Sequence, residues 1–204
     1  MDRGMWMMLP IRRILWYADN SLRSLELECL IACIRIVKAK RIFEFGTFRG
    51  TSTLHMAMNS PEDARIWTLD ADDETLAKSG MLDVYDWRSQ FPLEFSGTPG
   101  ERKITCLIGD SRIFDAFPRD MDLVFIDGDH TTAGVKCDTR NAENILNYQR
   151  TGCILWHDYQ NSECQENTAF LDGLAENRDL FHVEDTMLAI RFCDPVTIER
   201  LKAL

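Results

Sequence analysis

Short apolar runs and stretches of helical spacing alternate five times along this chain, and no other feature restricts its fold as much. The runs RIFEF (41–45), RIWTLDAD (65–72), KITCLIGD (103–110), MDLVFIDGD (121–129) and GCILWHDY (152–159) read as strands. Segments 21–39, 51–59, 73–82, 111–117, 132–149 and 166–177 read as helices, the first from apolar groups at helical spacing after Asn20 or Ser21, the second from Thr51 and Ser52 at its start. Strand centres such as LVFI and CILW are apolar without alternation, the pattern of a parallel sheet covered on both faces. Two more β-rich runs, LFHVED (180–185) and MLAIRF (187–192), stand one residue apart and predict a hairpin. The expected fold class is α/β: a doubly wound, mostly parallel seven-stranded sheet closed by an antiparallel C-terminal hairpin. Residues 1–40 read as a helical lead-in and 41–204 as the domain proper. The irregular stretch 83–101 reads as a lid or substrate wall, whose Tyr85, Trp87, Phe91 and Phe95 either cover a planar substrate or anchor the loop.

A chain of 204 residues with 45% apolar residues can bury one sizeable core. Its formal net charge of -10 repels phosphate backbones and anionic lipid, which argues against nucleic-acid or membrane partners. Seven cysteines form no CxxC pair, and several lie in apolar runs such as ITCLIG and GCILW, as reduced core thiols do in a cytoplasmic protein. The start, MDRGMWMMLPIRRILWY, is interrupted by Pro10, Arg12 and Arg13 and is too short to span a bilayer. It is expected to pack on the body or on a second copy, giving a homodimer through the N-terminal region.

In a doubly wound sheet, ligands bind outside the carboxyl ends of the strands. All five expected strands end in acids: Glu44, Asp70, Asp110, Asp127 with Asp129, and Asp158. Asp also caps helices and starts turns, a bland role open above all to Asp110 and Asp129. The first strand leads into EFGTFRGTS (44–52), a glycine turn before a helix. That turn lacks the Lys of a phosphate-gripping loop, and Phe48 occupies the middle glycine position of a dinucleotide fingerprint. A ligand with a ribose but no phosphate fits better. Asp70 can accept from ribose hydroxyls, helix-opening amides at Gly50–Ser52 can hold a carboxylate, and Glu44 suits an ammonium or sulfonium. Adenosine, carboxylate, amine and sulfonium together describe S-adenosylmethionine.

The segments FEFGTFRGTST, WTLDAD, LIGDS, LVFIDGDHTTAGVKCD and GCILWHDY resemble the motifs of class I S-adenosylmethionine-dependent methyltransferases. The similarity is to the branch of small-molecule O-methyltransferases of the catechol and caffeoyl-CoA type and of cephalosporin-hydroxylase-like proteins. It implies a Rossmann-like methyltransferase fold in which Glu44, Gly46, Thr47, Gly50, Thr51 and Ser52 hold the methionine part. By the same resemblance Asp70 holds the ribose, Asp110 lies by the adenine amino group, and Asp127 stands at the boundary with the substrate. Metal-dependent relatives bind a divalent cation, Mg or Mn, at positions corresponding to Asp127, His157 and Asp158. Those relatives carry Asp-Asn where this chain carries His157-Asp158, and a histidine favours a softer metal or none.

Methyl transfer to oxygen needs a base near neutrality, and histidine suits it. His130 follows the fourth-strand acids, where catechol-type relatives place a catalytic lysine, and is the first candidate; His157 is the second. The structural alternative for each is to hydrogen-bond a neighbouring carboxylate and orient a loop. His55 and His182 read as structural, Trp156 as core, and Tyr159 as a residue that could line the cleft. The functional expectation is an S-adenosylmethionine-dependent methyltransferase acting on a small molecule. The alternatives are a protein of the same fold that binds the nucleoside without transferring methyl, and a nicotinamide-dependent oxidoreductase.

Overall fold

The computed structural model describes residues 22–72, 75, 92–149 and 152–202. The N-terminal segment expected to mediate dimerisation, the helix expected at 73–82 apart from Thr75, and the loop aromatics Tyr85, Trp87 and Phe91 lie outside the described residues. The elements are α1 (Ser24–Ile36), β1 (Arg41–Phe45), α2 (Thr51–Asn59), β2 (Arg65–Asp70), β3 (Ile104–Ile108), β4 (Leu123–Ile126), α3 (Thr132–Ile145), β5 (Cys153–Trp156), α4 (Gln165–Ala175), β6 (Phe181–His182), β7 (Ala189–Phe192) and α5 (Pro195–Lys202).

The seven strands form one sheet in the order β3-β2-β1-β4-β5-β7-β6. β1 to β5 run parallel, and β7 runs antiparallel to β5 and to β6. This is the expected doubly wound sheet with its terminal hairpin. The chain winds outward one way from β1 to β3 and the other way from β4 onward, so the order reverses between β1 and β4. That switch point opens a crevice beyond their carboxyl ends.

The two-residue period of the strands sorts their side chains between two apolar layers. On one face Ile42, Leu123 and Phe125 meet Leu27, Leu30 and Ile34 of α1 and Met56 and Ala57 of α2. On the other, Phe43, Phe45, Val124, Ile126 and Trp156 meet Val135, Ala142 and Ile145 of α3 and Leu171 of α4. Full burial of one such side chain is worth about 1.5–3 kcal/mol. α1 therefore belongs to the core on the same footing as the helices that follow β1.

Two segments depart from the sequence reading. Residues 111–117 do not form a helix; Ile113 and Phe114 amides donate to the Asp110 carbonyl and close a single turn. Phe114 and Phe117 then turn in beside Phe43, with Phe117 5.6 Å from Phe43 and 4.9 Å from Phe114 between ring centroids. Pro118 also biases the residue before it away from helical backbone. The C-terminal α5 was not anticipated, although its signal is present: Asp194 accepts from the Thr197 amide at 2.8 Å and its hydroxyl at 2.7 Å, and Pro195 stands at the first helical position.

Candidate active site

The β1–α2 turn reaches the crevice through its backbone. Gly46 has φ +90, and a Cβ there would lie 2.0 Å from the Asp127 carbonyl oxygen. Only glycine lets β1 and β4 leave the sheet so close together. Gly46 donates to the Leu69 carbonyl at 2.8 Å, and the Phe48 amide donates to Asp70 Oδ2 at 2.9 Å, which ties the turn to the end of β2. Gly46 and Asp70 thus meet at one corner of the crevice. The cleft above is lined by Gly46, Thr47, Phe48, Thr51, Ser52 and Asp127, among others. The first amides of α2 precede its first internal bond, from Leu54 to the Gly50 carbonyl, and so have no partner within the helix, as at any helix start.

The side chains of the same turn point elsewhere. Glu44 lies on the strand face covered by α2 and is fully buried. Its carboxylate accepts from the hydroxyls of Ser52, Thr53 (2.5 Å) and Thr68 (2.7 Å). Burial pushes its pKa up to about 7 against those three hydrogen bonds. Thr47 bonds Thr68 at 2.6 Å, and the Thr51 hydroxyl donates to Glu94 at 2.8 Å. Phe95 is buried and packs where a side chain at Gly50 would stand, so this loop aromatic anchors the loop. Asp110 grips its own Arg112 through both carboxylate oxygens at 2.7–3.0 Å, which lowers its pKa. Asp129 accepts from the Thr131 amide at 2.8 Å, which closes a turn before α3, and Thr131 rather than Asp129 caps that helix.

Across the crevice, the ends of β4 and β5 present side chains. His130 Nδ1 lies 2.6 Å from Asp158 Oδ2. His157 Nδ1 lies 3.2 Å from Asp127 Oδ1 and 3.4 Å from Asp158 Oδ1, while its Nε2 faces Glu26 Oε2 at 3.5 Å. Asp158 is the hub of this group and adopts φ +63, a left-handed conformation that Asp tolerates better than most residues. Asn161 donates to Asp158 Oδ1 at 2.8 Å, and Asn167 donates to the His130 carbonyl at 2.7 Å. Burial alone would lower the His157 pKa, but the carboxylates of Asp127, Asp158 and Glu26 outweigh it and push it up to about 12. Burial likewise opposes ionisation of Asp158, yet its bonds to both histidines hold it well below the usual carboxylate range. The bond to Asp158 raises His130 against the effect of burial.

A family model described as a methyltransferase domain matches residues 43–159, more than half of the chain. The chain belongs to this methyltransferase family. No curated protein matches it. Among solved structures it is similar to the methyltransferase PaMTH1 of Podospora anserina bound to SAH, at 21% identity and TM-score 0.58, with 86% of this chain and 81% of that one covered. It is also similar to the O-methyltransferase TomG of Streptomyces achromogenes in complex with SAM (15%, TM-score 0.54, coverage 85% and 82%). The O-methyltransferase of Bacillus cereus in complex with SAH is a third (14%, TM-score 0.57, coverage 86% and 84%). At these identities the likeness establishes a shared fold.

In this methyltransferase, then, the sequence-predicted residues separate into two groups. Gly46, Thr47, Gly50, Thr51, Ser52, Asp70 and Asp127 converge on the crevice corner, with Glu44 beneath it. Asp127, His130, His157 and Asp158 converge on the opposite side, joined to the first group through Asp127. Asp110 stands at the end of β3, occupied by Arg112. His55 is buried with both ring nitrogens unpartnered, and burial lowers its pKa, as for a neutral core histidine. Trp156 is core and donates to Thr139 at 2.8 Å. Tyr159 bonds Asp172 at 2.8 Å and lies 5.0 Å from the His182 ring, which anchors β5 to α4 rather than lining the cleft.

The metal question can be put to the donor atoms. His157 Nδ1 and one oxygen each of Asp127 and Asp158 lie within 4.8 Å of one another. With an unprotonated Nδ1 all three are acceptors, so the arrangement requires either a proton on Nδ1 or a metal ion among them. Two carboxylates and an imidazole fit a borderline divalent ion such as Mn better than Mg, which prefers oxygen alone. The residue that sequence reasoning missed is Glu26. Its signal was a lone acid on the apolar face of α1, one turn before Leu30 and two before Cys33, both buried.

Proposed function

We propose that this protein transfers the methyl group of S-adenosylmethionine to an oxygen of a small molecule. The observation that carries the reading is the juxtaposition, at one switch point, of a backbone-lined glycine turn beside Asp70 with a histidine–carboxylate group 'across' the strand-end crevice. A turn of main-chain amides at a helix start suits the methionine carboxylate, and Asp70 at the end of β2 suits the ribose. Asp110 stands at the adenine end. Asp127 touches both halves and marks the boundary between donor and acceptor.

His130 is the base in this reading. Its side chain is 45% exposed, against 12% for His157, so an acceptor hydroxyl can reach it. Nδ1 is held by Asp158, which leaves Nε2 to take the hydroxyl proton while the carboxylate stabilises the imidazolium formed, the logic of a histidine–aspartate dyad. His157 is walled in by three carboxylates and serves to order them. Asp127, His157 and Asp158 would hold a divalent cation, which when bound supplies Lewis acidity to the acceptor oxygen. S-adenosylmethionine supplies an electrophilic methyl, and the crevice contributes alignment of oxygen and carbon in line. The net charge of -10 suits a small acceptor over a nucleic acid. No helix among the described residues is long and apolar enough to cross a membrane, and the cysteines, all unpaired, suit a reducing cytoplasm.

The test is transfer of radiolabelled methyl from S-adenosylmethionine to a panel of phenols, catechols and aliphatic alcohols, with and without Mn or Mg, beside calorimetric titration with the nucleoside and with NAD. Label in an extractable ether product, abolished in H130Q, is the expected result. Tight nucleoside binding with no product across the panel would reduce the protein to a binder, and NAD binding would overturn the reading.

A further inference from the structure

Glu26 is a carboxylate in an unlikely place. It is 1% exposed, on the core-facing side of α1, and far in sequence from His157 and the carboxylates beside it. Its oxygens accept from the Arg23 amide at 2.8 Å and from the Met187 amide at 2.9 Å, which ties the start of α1 to the turn between β6 and β7. The remaining group that it faces is His157 Nε2, at 3.5 Å, an ion-pair distance. That nitrogen is buried and has no hydrogen-bond partner within range, so Glu26 is the acceptor available to it. The two amide bonds, one to each oxygen, give Glu26 a structural role at the start of α1, but two amides do not by themselves compensate a buried charge. Burying a charge here costs several kcal/mol unless it is paired.

We infer that Glu26 is a positioning residue of the active site: it holds the Nε2–H of His157 and thereby aims Nδ1 at Asp127 and Asp158. The inference rests on the methyl-transfer reading for its functional meaning, not for its geometry. A histidine that serves a metal or an ordered carboxylate pair through one nitrogen commonly has the other fixed by a buried carboxylate. With Glu26 in place a carboxylate faces each ring nitrogen, and Nδ1 can give up its proton to a metal while Nε2 keeps its own; without Glu26 the Nε2 proton loses its acceptor. The ring would then carry its proton on Nδ1, where Asp127 and Asp158 would draw it, and would close that nitrogen to a cation. A contact between the first described helix and the end of β5 would in this way set the chemistry of the crevice.

The test is a long-range proton–nitrogen correlation spectrum of the 15N-labelled full chain, without added metal, with the His157 signals assigned by their loss in H157Q. Nε2 of His157 is expected to carry a proton in the wild type. In E26Q, which loses the charge and keeps an acceptor for only one of the two amides, the Nε2–H signal should disappear and leave a ring protonated on Nδ1 alone; E26D, which keeps the charge and both oxygens, should retain it. Mn affinity measured by calorimetry should fall about 10- to 100-fold in E26Q, as expected when a supporting carboxylate is lost. An unprotonated Nε2 in the wild type overturns the inference even if no variant folds. So does an E26Q spectrum identical to the wild type. A protein that shows the E26Q response but transfers no methyl would keep the Glu26 assignment and lose the proposed reaction, so the two failures are separable.

Discussion

The two sides of the crevice solve recognition in opposite ways. On the β1–β2 side, polar side chains turn inward: Ser52, Thr53 and Thr68 serve Glu44, Thr51 serves Glu94, and the cleft is faced by main chain around Gly46. On the β4–β5 side, the side chains themselves face one another, and Asp158 joins His130, His157 and Asn161 in one network. The first side is a shape built from backbone and stabilised from beneath. The second is a charge distribution. Substitutions on the first side should therefore act on stability and donor binding, and those on the second on turnover.

The largest effect is expected for G46A. A methyl group at φ +90, aimed at the Asp127 carbonyl, combines left-handed strain with overlap against backbone. Together these should cost about 3–5 kcal/mol. Urea denaturation would measure the loss, and calorimetry should show no S-adenosylmethionine binding; a variant of native stability and affinity would break the backbone half of the comparison.

D158N comes next. Asn tolerates the φ +63 of this position, so the fold should persist, while both histidines lose their shared anion. Methyl-transfer turnover should drop roughly 10²- to 10³-fold, with donor affinity unchanged within about twofold. Equal losses in both would show that the two sides are not separable.

Glu44 gives a pH signature confined to the first side. Burial raises its pKa from the ordinary glutamate value of 4.5 to about 7, so the folded state keeps its proton where the unfolded chain has lost it. Stability linked to protonated Glu44 is thus fully present below about pH 4.5 and declines as pH rises through 7, by up to about 3 kcal/mol. Urea midpoints between pH 5 and 8 should fall in the wild type and flatten in E44Q. A slope unchanged by the substitution would show that Glu44 is ionised at little cost, the three hydroxyls having compensated its burial.

The smallest effect sharpens the boundary. D70N keeps an acceptor for the Phe48 amide but removes the charge at the end of β2. A weakening of S-adenosylmethionine binding by about tenfold, close to 1.4 kcal/mol, is expected in calorimetry, with little change in unfolding. If affinity is unaffected while stability falls, Asp70 serves the turn alone.

Local pattern carried most of what was legible in the amino-acid sequence. Alternating apolar periods specified the parallel strands and their flanking helices, the closely spaced final runs specified the hairpin, and the two glycines marked the turn at the switch point. Each signal sits within a few residues of the structure it produces. Acids at the strand ends were visible too, but their partners were not: whether Asp110 faced a ligand or Arg112, or Glu44 the cleft or α2, depends on which sheet face a helix covers. The turn at 111–117 likewise yielded to a distant aromatic cluster. Tertiary structure alone decided that α1 supplies Glu26 to His157 and that Asp158 joins two histidines. Those contacts link segments far apart in the chain, where no period or spacing connects them, and they form only once both apolar layers have closed on the sheet.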